Sequence, residues 1–402
     1  MKNVLKVFVL LLCLLVLAFI TKARIEQFTV LTQPPVQETP AQELAPVTAE
    51  LPRETPEAVE PTPVPTPEPT PEPQEYTLSM VGDCTLWSNA NYAQHPAGYA
   101  GVMGEDYAYP FSNTVDYFKD DDCTLANLEC ILSDKQIPYD YTVATFAFLA
   151  PTAYANVMIE GGVDFVTIAN NHIMDCYEAG RDATCAALEE YGVPYGGECD
   201  SRIFITESGL KLGIYTAGVN MRPDWKTDTA LAAVKSLREQ GAEYVICMFH
   251  WGDELYYKPY EYQTTLAHAC IDAGADLIYG SHSHCLQPIE EYNNGLIMYS
   301  MGNWTFGGST MPKDPDTAIV QVHLKRAADG SIVRESHDII PCCVSSKIDE
   351  AMNNTQNYND YCPTPYPEDC DAYFRVLSKL DGSFEPTSQG VDYSDWWASR
   401  AG

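Results

Sequence analysis

The sequence predicts an α/β domain with a largely parallel core, carried behind an N-terminal membrane anchor and a Pro-rich linker. Three observations support this. Short β-rich runs alternate with helical stretches from Tyr76 onward, an apolar run between basic residues opens the chain, and a segment dominated by Pro, Glu and Thr separates the two.

In residues 1–24, Met1, Lys2 and Lys6 precede an apolar run from about Val7 to Ile20, which Lys22 and Arg24 close. This is the pattern of a secretory targeting segment. Thr21-Lys22-Ala23 is a poor small-x-small cleavage site, so an uncleaved anchor is expected, although the run is slightly short of the ~20 residues of a full span. Cys13 sits inside the run as a packing residue. The expected location is the cell membrane, held by this single segment, with the domain extracellular.

Residues 25–75 form the linker, ending in the Thr-Pro-Glu-Pro repeat of 66–73. Such a stretch has no apolar face to bury and favours extended polyproline II at ~3.1 Å per residue, enough to lift a domain ~100 Å or more from a membrane. A disordered tether with no spacing role is the alternative reading.

The folded part is expected at residues 76–343. Strands are predicted at 77–81, 123–128, 165–169, 212–217, 244–249, 277–279, 296–300 and 319–324. Helices are predicted around 152–161, 178–191, 229–240 and 260–273, punctuated by Gly162, Gly192, Gly241 and Gly274. Asp329-Gly330 separates 319–324 from a strand at 332–337, a hairpin signal. Residues 344–402 are polar, rich in Asn, Tyr, Pro and Asp, and the pattern assigns them no fold.

The chain of 402 residues carries 23 Lys and Arg against 56 Asp and Glu, a formal net charge of −33. That balance argues against nucleic acid as a partner, because phosphates need Lys and Arg to displace their counterions. An acidic substrate would have to be held at a local cationic feature such as a metal. The 14 cysteines include no CxxC spacing, and several fall in apolar segments where buried free thiols are common. In the polar tail, Cys362 and Cys370 are the expected disulfide pair.

Unusual polar residues gather where predicted strands end. They are Gly82-Asp83, Asn127-Leu128-Glu129, Asn170-Asn171-His172, His250-Trp251-Gly252-Asp253-Glu254 and His282-Ser283-His284. In open α/β sheets that edge is where ligands bind. Imidazoles, carboxylates and an amide oxygen make a mixed nitrogen and oxygen donor set, suited to Zn, Mn or Fe. Such a site polarises phosphoryl or carbonyl oxygens and activates water.

Each cluster also has a bland reading. A lone Gly-Asp after a strand is usually a turn, and Asn171-His172 fits a helix N-cap with a satisfied histidine. His282-x-His284 is sharper, since alternate residues of an extended chain point the same way and chelate one ion or flank two. Co-occurrence at strand ends is what the bland readings do not predict. His95, His268, His323 and His337 lack that context and read as surface or packing residues.

With these motifs the sequence resembles the bacterial CapA family, associated with poly-γ-glutamate capsule synthesis. The resemblance runs from about Tyr76 to Phe306, through Val81-Gly82-Asp83, Ala126-Asn127-Leu128-Glu129, Ala169 to Asp175, His250 to Glu254, Gly274-Ala275-Asp276 with Gly280 to His284, and Tyr299 to Asn303. The family is related to calcineurin-like metallophosphoesterases. The resemblance therefore implies a four-layer α-β-β-α sandwich of the metallophosphoesterase type.

It also implies roles: Asp83, Asn171, His250, His282 and His284 as metal ligands, Glu129 near the place of a bridging carboxylate, and His172 as the histidine that assists the leaving group. The cofactor implied is a divalent transition metal, one or two ions of Mn, Fe or Zn. Two departures stand out. Thr85 occupies a position where those phosphoesterases carry a histidine ligand, and the bridging carboxylate is a Glu. Ser281 and Ser283 replace a histidine and a proline frequent in the family, a change expected to tune the loop without removing ligands.

The function expected is a surface-anchored protein acting in synthesis, export or attachment of poly-γ-glutamate or a related anionic envelope polymer, by metal-dependent hydrolysis or transfer. Its partners would be that polymer or the capsule synthesis and export machinery. In that chemistry His172 stabilises developing charge, and Asp175 or Glu254 orients a proton or a ligand histidine. The alternatives are a non-catalytic metal-binding scaffold of an export complex and a secreted metal-dependent phosphoesterase.

Overall fold

Successive residues of a strand face opposite sides of its sheet, and in the central strands both sides are apolar. Leu125 and Ala126 enter different cores, as do Ile246 and Cys247, and Leu277 and Ile278. Strands buried on both faces must lie between two further layers. The computed structural model has that arrangement. It describes residues 74–135, 137, 146–219 and 224–386; the expected anchor, Cys13 and nearly all of the linker lie outside these. Among the described residues no helix is long and apolar enough to cross a membrane.

The chain runs β1 (Glu75–Thr85), α1 (Tyr99–Met103), β2 (Cys123–Leu128), β3 (Ile131–Leu132), β4 (Leu149–Ala150), α2 (Ala155–Glu160), β5 (Phe165–Thr167), α3 (Tyr177–Tyr191), β6 (Tyr195–Gly196), β7 (Asp200–Ile205) and β8 (Lys211–Val219). It continues through α4 (Asp224–Glu239), β9 (Tyr244–Trp251), α5 (Glu261–Asp272), β10 (Leu277–Ser281), β11 (Ile289–Tyr292), β12 (Gly295–Met298), β13 (Asn303–Phe306), β14 (Asp316–Arg326), β15 (Ile332–Cys343), α6 (Ile348–Met352), β16 (Thr364–Pro365) and α7 (Asp371–Leu380).

The first sheet orders its strands β16-β15-β14-β1-β2-β5-β6, with β13 also paired to β1; the second runs β11-β12-β10-β9-β8-β7. Leu78, Met80 and Leu125 of the first sheet meet Ile214, Ile246 and Met248 of the second in a core between them. On the outer face of the first sheet, Ala126 and Val166 pack against Met158 of α2 and Leu188 of α3. On the outer face of the second, Val245 and Ile278 pack against Val234 of α4 and Leu266 of α5. Helix, sheet, sheet and helix thus make four layers.

The parallel core expected from the sequence is β1-β2-β5-β6 in one sheet and β8-β9-β10-β12 in the other, with antiparallel pairing towards the edges. All four punctuating glycines have positive φ, the conformation that glycine adopts without steric penalty. The β14-β15 hairpin is present and longer than its sequence signal.

Residues after Val344, which the pattern left without a fold, build α6, β16 and α7. Val376 and Leu380 of α7 pack with Ala318 and Cys343 of the first sheet. The expected Cys362–Cys370 disulfide is corrected: both thiols are free. Cys370 instead caps α7, accepting from Tyr373 N at 3.4 Å, and Cys362 Sγ lies 3.4 Å from Ser112 Oγ.

Candidate metal centre

Two close backbone approaches bring the strand ends together. A Cβ on Gly82 would lie 2.1 Å from the Gly302 carbonyl oxygen, and one on Gly280 would lie 2.0 Å from that of Tyr299. Only glycine fits either place. Asp83 N then donates to Gly302 O at 2.8 Å, and β1 runs on to Thr85, four residues past its predicted end at Val81. Asp83 consequently stands in register with Asn127 and Asn303. Asn127 Nδ2 donates to Asp83 Oδ1 at 2.7 Å.

Glu129 follows β2 and is fully buried. Its Oε2 accepts from Thr85 Oγ1 at 3.2 Å. After β5 the cap of a short 3-10 turn is Asn170, whose Oδ1 accepts from Ile173 N at 3.0 Å. That leaves Asn171 clear of the capping role that the bland reading gave it, and its Oδ1 lies 2.6 Å from His250 Nε2. His250, one residue before the end of β9, stands opposite Ser281 of β10, with Nδ1 at 2.9 Å from Ser281 Oγ.

The chain at His282 and His284 is not extended, which corrects the geometry assumed for that pair. Their φ values are 95° and 51°, in the sparsely populated region that persists only where surroundings impose it. His282 N donates to Asp83 Oδ2 at 3.2 Å. His284 Nδ1 lies 2.9 Å from Asn303 Oδ1 and 3.4 Å from Asp83 Oδ2. The two imidazoles therefore flank the site: His282 joins Glu129 and His250 in one group of converging donor atoms, and His284 joins Asp83 and Glu129 in another. Glu129 belongs to both.

Burial would raise the Glu129 carboxyl, but His284, His250 and His172 hold it well below the usual carboxylate range. Burial, reinforced by His250 and His284, presses the His282 imidazole down to about 2, so it stays neutral with a lone pair to give. Burial would lower His284 too, yet the Glu129 charge and Asp83 lift it to about 9. Burial likewise opposes protonation of His172, but Asp175, whose Oδ2 is 2.8 Å from Nδ1, raises it above its ordinary value.

Two buried atoms at the centre of this group, Glu129 Oε1 and His282 Nδ1, have no hydrogen-bond partner. Glu129 Oε1 is 3.3 Å from His250 Nε2, but that nitrogen faces Asn171 Oδ1. Buried polar atoms are almost always satisfied, and an orphaned carboxylate oxygen beside an orphaned imidazole nitrogen is the arrangement that a cation completes. The donor set fits a divalent transition metal.

All six expected ligands, Asp83, Glu129, Asn171, His250, His282 and His284, are thus brought into one cluster. Of the residues expected to act on protons, Asp175 holds His172, whereas Glu254 is exposed at the rim and makes no hydrogen bond to a histidine among the described residues. Three residues that orient the cluster, Asn127, Ser281 and Asn303, stand in the motifs read from the sequence but were given no such role there. The signal for Asn127 was a polar residue inside an otherwise apolar strand.

Comparison with known proteins shows that residues 77–308 match the family described as "Bacterial capsule synthesis protein PGA_cap". The "Capsule biosynthesis protein CapA" of Bacillus anthracis is 29% identical over 277 residues, 63% of this chain and 64% of that one. The "PGA biosynthesis protein CapA" of Bacillus subtilis is 47% identical over 90 residues, 22% of this chain and 23% of the relative. The chain spans less than two thirds of the length of these relatives. Among solved structures, Haemophilus influenzae NAD nucleotidase aligns with a TM-score of 0.39 at 14% identity, over 82% of this chain and 67% of that one. A likeness this loose says nothing about the site.

Proposed function

The chain belongs to the bacterial capsule synthesis family PGA_cap, and from that premise we propose that it acts in the synthesis, export or anchoring of poly-γ-glutamate or a related anionic envelope polymer, through metal-dependent hydrolysis or transfer. The observation that carries the chemical part is the pair of orphaned buried atoms, Glu129 Oε1 and His282 Nδ1, inside a ring of nitrogen and oxygen donors.

Asp83, Glu129, Asn171, His250, His282 and His284 would hold one or two ions of Mn, Fe or Zn, with Glu129 shared. A divalent metal bound there would supply Lewis-acid polarisation of a phosphoryl or acyl oxygen. The chain's own residues do the rest. Ser281 and Asn127 fix the His250 ring, and Asn303 fixes His284. Asp175 keeps a proton on His172, which can donate it to a leaving oxygen or nitrogen in the adjoining cleft.

A scaffold without catalysis is the second reading. The observation favouring it is Thr85, which stands where the related phosphoesterases carry a histidine and spends its hydroxyl on Glu129. We also propose, from the sequence alone, that the N-terminal apolar run anchors the domain outside the cell membrane.

The test is complementation in the producing bacterium. Deleting the gene should abolish cell-associated γ-glutamyl polymer, and restoring the wild-type chain, but not Asp83→Ala/His282→Ala, should recover it. Recovery with the double variant would discard the catalytic reading in favour of the scaffold. An unchanged polymer level after deletion would discard the role itself.

A further inference from the structure

The centre opens into a cleft of about 650 Å³, the size of an ordinary small-ligand site. Its lining joins Asn171, His172 and His284 to Phe306, the last residue of β13, and to Met311 and Lys313 of the segment between β13 and β14. Phe306 packs on the His284 ring at 4.7 Å between centroids. Lys313 is the one ammonium or guanidinium group among the described residues of the lining. Its side chain is exposed, and among the described residues it makes no hydrogen bond or ion pair. In a chain of net charge −33, a lysine without a counter-charge in the lining of a cleft offers a place to hold an anion.

The segment carrying Lys313 is pinned by residues far along the chain, beyond the region shared with the family. Asn359 is 1% exposed. Its Nδ2 donates to the carbonyls of Phe306 at 2.9 Å and Ser309 at 2.8 Å, and its backbone N donates to Thr310 O at 3.1 Å. Its Oδ1 accepts from Tyr361 N at 3.0 Å. Tyr358 OH donates to Pro312 O at 2.5 Å. Just after Lys313, both oxygens of Asp314 accept from Lys379 Nζ at 2.8 Å. Satisfying buried carbonyls explains these bonds as structure. It does not explain why the segment they hold places a lysine in the lining of the cleft.

We infer that Lys313 is the specificity-determining residue for a carboxylate of the substrate, and that Asn359 and Tyr358 are positioning residues that preset it. This rests on the proposed function, which supplies a γ-linked glutamyl chain as the substrate. The bonds from Asn359 and Tyr358 fix the backbone that carries Lys313, so binding has only its side chain left to order, and the charge-assisted hydrogen bond it then makes adds affinity.

The test uses the full chain in detergent, incubated with Mn²⁺, and two fluorescent probes: a γ-linked glutamate trimer, and the same trimer with its α-carboxylates as amides. The wild type should bind the charged trimer about tenfold more tightly than the amide. Lys313→Ala should bind both alike and Lys313→Arg should keep the preference. Tyr358→Phe should narrow it while leaving the amide affinity unchanged. A preference that survives Lys313→Ala, or a wild type with none, overturns the inference. Metal content of the same preparations judges the centre separately. Metal bound with a preference indifferent to Lys313 sinks this inference alone, whereas absence of metal sinks the reading of the centre and leaves the probe comparison to decide on Lys313.

Discussion

Two clusters of buried charge among the described residues are built on opposite plans. Where α7 meets β14, Asp314 and Asp316 share Lys379, and Asp316 also takes both Nε and Nη2 of Arg375 at 2.6 Å and the Tyr366 hydroxyl at 2.9 Å. Two carboxylates face two permanent cations. At the strand ends, Asp83 and Glu129 face imidazoles and amides, and two buried atoms stay without a partner. The first cluster is complete as the chain makes it. The second, as proposed, would be completed by a cation from outside. Satisfaction of every atom is thus what separates a structural cluster from a candidate site, because the carboxylates of both, Asp314 and Asp316 in one and Asp83 and Glu129 in the other, are fully buried.

The largest expected effect breaks the complete cluster. Lys379→Ala leaves the buried Asp314 without a cation and should cost about 3–5 kcal/mol in urea unfolding, without changing the metal bound per folded molecule. If the cost is no larger than that of a surface change, the cluster does not hold α7. Glu129→Gln should do the reverse, removing metal binding while costing the metal-free fold less than Lys379→Ala. Equal stability losses in the two variants would erase the contrast.

Ser281→Ala is a gentler probe of the incomplete cluster. It removes the hydroxyl beside His250 Nδ1, and should weaken metal affinity about 10–100-fold, as for other partners of ligand histidines. Unchanged affinity in a metal titration would mean that His250 is oriented by other contacts.

The smallest effect is expected in acid. Burial would raise Asp316, but Lys379 and Arg375 hold it well below the usual range, while burial keeps Asp314 raised against Lys379. The share of stability from Asp316 is complete above the unfolded carboxylate value of about 3.9 and is lost as pH falls through its lower folded value. Asp314 acts in the opposite sense, its penalty at neutral pH being relieved as it protonates. Hydrogen-exchange protection of α7 amides should therefore persist from pH 7 to about 4 and decline only below. Loss of protection already between about pH 6 and 5 would exclude Asp316 as the anchor of α7.

The incomplete cluster was largely legible in the sequence and the complete one was not, for physical reasons. Ligand residues sit at strand ends, and strands such as β9, predicted at 244–249, announce themselves by continuous apolar runs. The end of β1 was misjudged because Gly82-Asp83 reads as a turn, whereas Gly82 is there to admit the Gly302 carbonyl. Nothing local indicates that Lys379 belongs with Asp314, 65 residues away, or that Asn359 pins the carbonyl of Phe306, 53 residues away. β16 is two residues long, too short to show alternation. The double-sheet arrangement was expected from the family resemblance and not from the strand pattern, since strands buried on both faces do not reveal which partner covers which face.

The most direct test of the central claim is the metal content of the purified chain after reconstitution, by elemental analysis, beside Asp83→Ala/His282→Ala. The account predicts stoichiometric Mn, Fe or Zn in the wild type, none in the double variant, and an intact fold in both. A wild type that retains no transition metal, or a double variant that retains as much, would contradict it.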